Sequence, residues 1–182
     1  MKIAITGHTR GIGKALHDNF ASNPDNEVQG FSKDNGYDIT TSVEMIVRAS
    51  KKSDVFVNNA FHGIAQMTLL NRFWELWKYD ETKTIVNMVS LSKYPGLSGN
   101  DTGYSAMKAA LYHQAFLLMF SDKERKCRMI NINPGYVRTE MTAHVDQSVN
   151  MLTPEECADV IAYAVNLPQH IEIGELSVWR PF

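Results

Sequence analysis

Cysteine is scarce in this chain. Cys127 and Cys157 are the only two, far apart, with no Cys-x-x-Cys pair and no histidine partner nearby. That excludes a disulfide framework and leaves each as a buried or free thiol, as suits a reducing compartment. No cluster of His, Cys and carboxylates points to a metal. A basic excess is missing too: 18 Lys and Arg face 20 Asp and Glu, a net charge of −2. Nucleic acid and anionic membrane surfaces are therefore not expected as partners. No apolar run approaches the ~20 residues of a membrane span. Residues 1–6 read as a core strand rather than a leader, so a soluble cytoplasmic protein is expected. No repeat, low-complexity tract or linker divides the 182 residues, and one domain over 1–182 is the expectation.

What is present alternates. Ile3, Ala4 and Ile5 form a short apolar run closed by Thr6-Gly7, and a helix-like stretch follows from Lys14 to Phe20. Ser22 to Asn26 is a turn cluster, Val28 to Phe31 a second strand, and Ser32 to Gly36 an immediate turn. Thr41 or Ser42 is placed to cap a helix running to about Ser50, with Val43, Ile46 and Val47 inward. Asp54 to Ala60 and Thr84 to Val89 read as buried strands ending in polar residues, with a helix over 65–79 between them. Pro95, Gly96, Gly99 and Gly103 mark 91–103 as a loop before the longest helix, 104–120. Met129 to Asn133 is a strand broken by Pro134-Gly135. Thr153-Pro154-Glu155-Glu156 opens a helix to about Val165, and Glu175 to Trp179 is a last strand. Apolar strands alternating with helices predict an α/β fold with a doubly wound parallel sheet.

Two patterns carry chemistry. The first is Gly7-x-x-x-Gly11-x-Gly13 between the first strand and the first helix. A glycine turn there lets backbone approach a pyrophosphate, and the helix N-terminus offers free N–H groups to it. This is the start of a dinucleotide-binding fold, although the spacing is not the commonest Gly-x-Gly-x-x-Gly. The second is Tyr104 and Lys108, four apart near a helix start and so on one face. An ammonium near a phenol favours the phenolate, drawing its pKa from ~10 toward neutral pH. Ser90, ending the neighbouring strand, can aim its hydroxyl at the same spot; Ser92 is the competing hydroxyl.

Thr6-Gly7-x-x-x-Gly11-Ile12-Gly13, Asn58-Asn59-Ala60, Ser90, Tyr104-x-x-x-Lys108 and Asn133-Pro134-Gly135 occur in that order. In this the chain resembles the short-chain dehydrogenase/reductase family over essentially its whole length. The resemblance implies a Rossmann-type sheet and an NAD(P)-dependent oxidoreductase moving a hydride between nicotinamide and a small carbonyl or alcohol substrate. It implies Tyr104 as general acid/base, Lys108 on the nicotinamide ribose and Ser90 on the substrate oxygen. Gly7, Thr9, Arg10, Gly11, Ile12 and Gly13 would hold the pyrophosphate region, and Ser32, Lys33, Asp38 and Ile39 the adenosine end. Asn58, Asn59, Ala60, Pro134, Gly135, Val137 and Thr139 would line the rest, with Asn58 also able to tie the central strands together.

The departures are specific. Phe61 follows Ala60 where the family usually has glycine. Residues 32–37 leave no room for the usual helix, and the stretches from Ala60 to Ile85 and after Thr139 are short, so the crossovers are compacted. The family's fourth catalytic residue, an asparagine, falls on Asn71. Phe31-Ser32-Lys33 offers no carboxylate at the end of the second strand, and Arg10 lies in the glycine turn, so NADP is preferred to NAD. Asp34, swung onto the ribose, would reverse that preference. His8 and His62 read as solvated loop histidines. Surplus apolar residues at Trp74, Trp77, Phe116, Leu117 and Phe120 predict a homodimer or homotetramer. A dinucleotide-binding sensor or scaffold with little turnover is the alternative; a lyase or epimerase with bound cofactor is a third.

Overall fold

The computed structural model describes residues 1–97, 101–146 and 148–181. Gly99, expected within the 91–103 loop, lies outside the described residues. Six parallel strands form one sheet in the order β2-β1-β3-β4-β5-β6. They are β1 (Lys2–Thr6), β2 (Glu27–Phe31), β3 (Val55–Asn58), β4 (Thr84–Met88), β5 (Arg128–Pro134) and β6 (Glu175–Val178). The helices are α1 (Gly11–Ala21), α2 (Val43–Ala49), α3 (Ala65–Trp77), α4 (Thr102–Ser121) and α5 (Pro154–Asn166). Among the described residues no helix is long and apolar enough to cross a membrane.

Successive strand residues serve opposite layers, which is why these strands are apolar throughout rather than alternating. Ile3 and Ile5 pack with Leu16 and Phe20 of α1 and with Ile161 and Val165 of α5. Ala4 faces the other layer, with Ile46 of α2, Leu69, Phe73 and Trp77 of α3, and Leu111 and Met119 of α4. Phe56 stacks on Phe73 at 3.5 Å between ring centres, and Phe73 meets Trp77 edge-on. Trp74 and Trp77 are 3% and 2% exposed, so both belong to this core and not to a surface surplus.

Local chemistry sets the ends. Thr153 and Glu156 form the capping box that opens α5, with Pro154 in its first turn. α2 begins at Val43 after Ser42, whose hydroxyl donates to Gly36 O rather than capping the helix. α4 begins earlier than its apolar pattern suggests, because the Asp101 carboxylate accepts the Tyr104 N–H at 2.8 Å. The short link after β2 is a single 3-10 turn (Lys33–Asn35) closed by the Ser32–Asn35 capping box. The short α2 beyond this turn is the only α-helix described between β2 and β3, and β2 is an edge strand of the sheet.

The chain leaves β1 toward β2 on one side, then returns to place β3 on the other. A doubly wound sheet opens a crevice at such a reversal, beyond the strands' carboxyl ends.

Candidate active site

At that reversal the ends of β1 and β3 are tied together. Thr6 Oγ1 accepts the backbone N–H groups of Asn59 and Ala60, both at 3.0 Å, and donates to Val57 O. The Asn59 amide donates to Thr6 O and Gly7 O. Asn59 therefore shapes the glycine turn through its amide nitrogen. Gly7 has φ 71°, which glycine adopts without strain. A Cβ on Gly13 would stand 2.0 Å from Gly7 O and 2.5 Å from Asn59 Nδ2, so nothing larger fits. No side chain caps the start of α1 at Arg10.

The charged groups around this turn are paired. Arg10 bonds Glu140 at 2.6 Å, and Lys33 meets Asp38 at 3.2 Å. Asp38 is held down to about 2, first by the Thr40 N–H and hydroxyl and then by Lys33. Asp34 is exposed in the 3-10 turn, whereas Ser32 is buried. His8 corrects the expectation of a solvated loop histidine: its ring lies against Gly30 of β2, 5.6 Å from the His17 ring, with a buried and unpartnered Nδ1. His62 is exposed.

One strand over, Ser90 follows β4 in extended backbone. Its Oγ accepts the Ser92 N–H at 3.0 Å, and its hydroxyl neighbours the Tyr104 phenol. The Ser92 carbonyl takes the Ser105 hydroxyl at 2.6 Å, which seats the 3-10 turn (Leu91–Lys93) on α4. The same turn is pinned by Lys93, buried against Glu175 at 2.5 Å. Tyr94, Tyr112 and Asn133 also donate to that carboxylate.

Lys108, one turn along α4 from Tyr104, is 3% exposed. Its ammonium donates to Gln66 Oε1 at 2.9 Å and Met88 O at 2.6 Å. Gln66 is 1% exposed, and its amide donates to Asn58 O and Met88 O. Asn58 donates to Gln66 O and Asn87 Oδ1, and Asn87 donates on to Asn131. An amide ladder thus ties β3, β4 and β5, and Asn58 sits in it, fully buried.

Burial dominates the titration of both groups. It brings Lys108 down to about 7 and pushes the Tyr104 phenol up, a rise that Ser90 opposes. The sequence expectation that Lys108 draws the phenol down is not met, because the ammonium is itself stripped of water and stands 5.6 Å from the ring centre.

Asn71 is exposed on α3, on the solvent side, and Gln66 is the amide that reaches Lys108. The signal for Gln66 was one amide in the apolar start of α3. Ile39 and Val137 are 5% and 4% exposed and belong to the core, and Pro134 is buried as the last residue of β5. Gly135 packs against Trp179, and Thr139 against Gly11. Thr9 is exposed, while Ile12 and Ala60 are half-buried at the turn.

No family model matches the chain. It is 31% identical over 98 residues to an uncharacterized oxidoreductase of Staphylococcus aureus, covering 53% of this chain and 42% of that protein. A second relative, an uncharacterized oxidoreductase of Staphylococcus haemolyticus, is 29% identical over 157 residues, 79% of this chain and 64% of that one. The chain spans less than two thirds of these relatives. Among solved structures it is similar to serine dehydrogenase in its closed form with NADP+, with TM-score 0.80, 18% identity, and 99% and 95% of the two chains covered. It is similar also to the 3-ketoacyl-(acyl-carrier-protein) reductase of Brucella melitensis complexed with NADH, with TM-score 0.82, 19% identity, and 97% and 96% covered. A short chain dehydrogenase of Burkholderia cenocepacia in complex with NADP gives TM-score 0.78 at 19% identity, with 97% and 86% covered. The chain shares the fold of these dehydrogenases, a parallel six-stranded sheet between two helical layers.

Proposed function

We propose that the chain is an NAD(P)-dependent oxidoreductase acting on a small carbonyl or alcohol substrate. The observation that carries this reading is a Tyr104 phenol with Ser90 beside it and the Lys108 ammonium 5.6 Å from its ring centre, in a sheet whose glycine turn has no room for a Cβ on Gly13. That turn fits a dinucleotide: Gly7, Gly11 and Gly13 would lie under its pyrophosphate with Thr9, Ile12 and Ala60 beside them. When bound, the nicotinamide supplies or takes the hydride. Tyr104 gives the proton to the substrate oxygen in reduction, or takes it in oxidation, and Ser90 holds that oxygen against the phenol. Lys108 holds the ribose next to the nicotinamide and keeps positive charge near the phenol as its proton moves. Gln66, not Asn71, fixes Lys108 in that role. Gly135 and Thr139 border the nicotinamide end.

Arg10 and Lys33 favour NADP. Each holds a carboxylate, Glu140 or Asp38, that a doubly charged 2′-phosphate would displace with charge-assisted bonds. The molecule also pairs with a second copy through α4. Its outer face exposes Leu117 and Phe120, 57% and 68% accessible, with the rings of Tyr112, Phe116 and Phe120 in sequence along it. The experiment is a thermal-shift titration with NADPH and NADH. Binding to the folded state should raise the unfolding midpoint with concentration; no shift with either contradicts the reading.

A further inference from the structure

The Lys108 ammonium has three donors, and Gln66 Oε1 and Met88 O take two of them. Two aromatic rings also lie near the ammonium. The Phe61 ring centre is 5.0 Å from Nζ, and the Tyr104 ring centre 5.6 Å. Phe61 also meets Tyr104 edge-on, at 4.9 Å between ring centres. A single side chain therefore covers both members of the Tyr104–Lys108 pair, at a position where the resembling family has no side chain. An oxygen set at a bonding distance of ~2.9 Å from Nζ on the Phe61 side would lie roughly 2 Å from the ring centre. Contact with ring carbons needs about 3.5 Å. That approach is shut while the ring stays.

The ring is held by one cation–π contact and one edge contact, and it is half-buried rather than locked in the core. It belongs to the link between β3 and α3, outside both the amide ladder and the apolar clusters. Moving it breaks no backbone hydrogen bond of the sheet.

We propose that Phe61 gates the nicotinamide half of the dinucleotide site: its ring occupies the place of the ribose hydroxyls on Lys108 and must swing away before that half can bind. This rests on the dinucleotide reading above. The adenosine half, between the glycine turn and Lys33, is not gated. Adenosine ligands and whole dinucleotides therefore respond differently to the same substitution. Closed, the gate keeps the Lys108 ammonium dry; open, it exposes that ammonium beside the half-buried Tyr104, and only to a ligand whose second half pushes in.

The test is a calorimetric titration of the full chain and of Phe61→Ala, Phe61→Gly and Phe61→Leu with NADPH and with adenosine 2′,5′-bisphosphate, which lacks the nicotinamide ribose. Circular dichroism and the unfolding midpoint report whether each variant is folded. The Ala and Gly variants should bind NADPH roughly tenfold or more tightly than the parent, with Leu between, while the bisphosphate affinity stays within about twofold. Equal NADPH affinity in parent and variants, or weaker affinity in folded variants, overturns the gate. A parallel gain for the bisphosphate overturns it too, because the effect would not be confined to the nicotinamide half. Failure of both ligands to bind any of the four proteins overturns the dinucleotide reading itself, and the gate with it.

Discussion

The Lys108 ammonium and the Gln66 amide oxygen meet at 2.9 Å in a volume closed to water, with 3% and 1% of the two residues exposed. A buried charge is tolerable only when its donors are met. Gln66 does this while also joining β3 to β4 through Asn58 O and Met88 O. Gln66→Leu keeps the volume and removes the bonds. The expected loss is about 3 kcal/mol of unfolding free energy, read from urea titrations. A change under about 0.5 kcal/mol, the range of ordinary surface substitutions, would contradict the geometry.

Lys108 gives a pH signature. Its folded pKa of about 7 lies below the ordinary 10.5, so between those values the unfolded chain binds more protons. Folding stability from this group is therefore least at pH 7 and below, and rises as pH climbs toward 10.5. Relative to the parent, Lys108→Met should be most favourable near pH 6 and lose that advantage by pH 10. A difference that is flat across this range contradicts the buried ammonium.

The α4 face predicts an assembly that can be dissolved without unfolding the chain. Light scattering of the parent should return at least twice the 20.5 kDa chain mass. Leu117→Ser with Phe120→Ser should return the monomer with little loss of stability, since both residues are exposed. By contrast Phe73→Ala, which empties a fully buried stack on Phe56, should cost about 3–5 kcal/mol. A 20.5 kDa parent particle at micromolar concentration would refute the pairing.

The sheet was legible because its signals are local. Period, turn residues and caps identify β1 to β6 and the α5 capping box within windows of a dozen residues. The glycine turn was legible for the same reason. Gln66 was not, because its meaning lies in Lys108, 42 positions away, and the compacted link from β3 to α3 shifts any counting toward Asn71. Lys93 and Glu175 are 82 positions apart, and each reads alone as a surface charge. Trp74 and Trp77 looked like surplus because α3 is wide-faced in sequence; the compact sheet gives that whole face something to cover. Asn58 ties the central strands as its place in the chain suggested, while Ile39 and Val137 are buried and the Asn59 amide bonds the carbonyls of Thr6 and Gly7.

The proposed preference for NADP rests on two exposed cations, Arg10 and Lys33. At low salt NADPH should bind roughly tenfold or more tightly than NADH. Arg10→Ala combined with Lys33→Ala should erase the difference and leave NADH affinity nearly unchanged. Equal affinities in the parent would assign the adenosine end differently, with Asp34 or Asp38 on the ribose.

The central claim is that Tyr104 moves the substrate proton, and Tyr104→Phe tests it most directly. The measurement pairs NADPH titration with turnover of a panel of small aldehydes and ketones, followed by the loss of NADPH absorbance. The account predicts turnover reduced by about a hundredfold or more, with NADPH affinity within a few-fold of the parent. Near-parental turnover on any carbonyl that the parent reduces would contradict it.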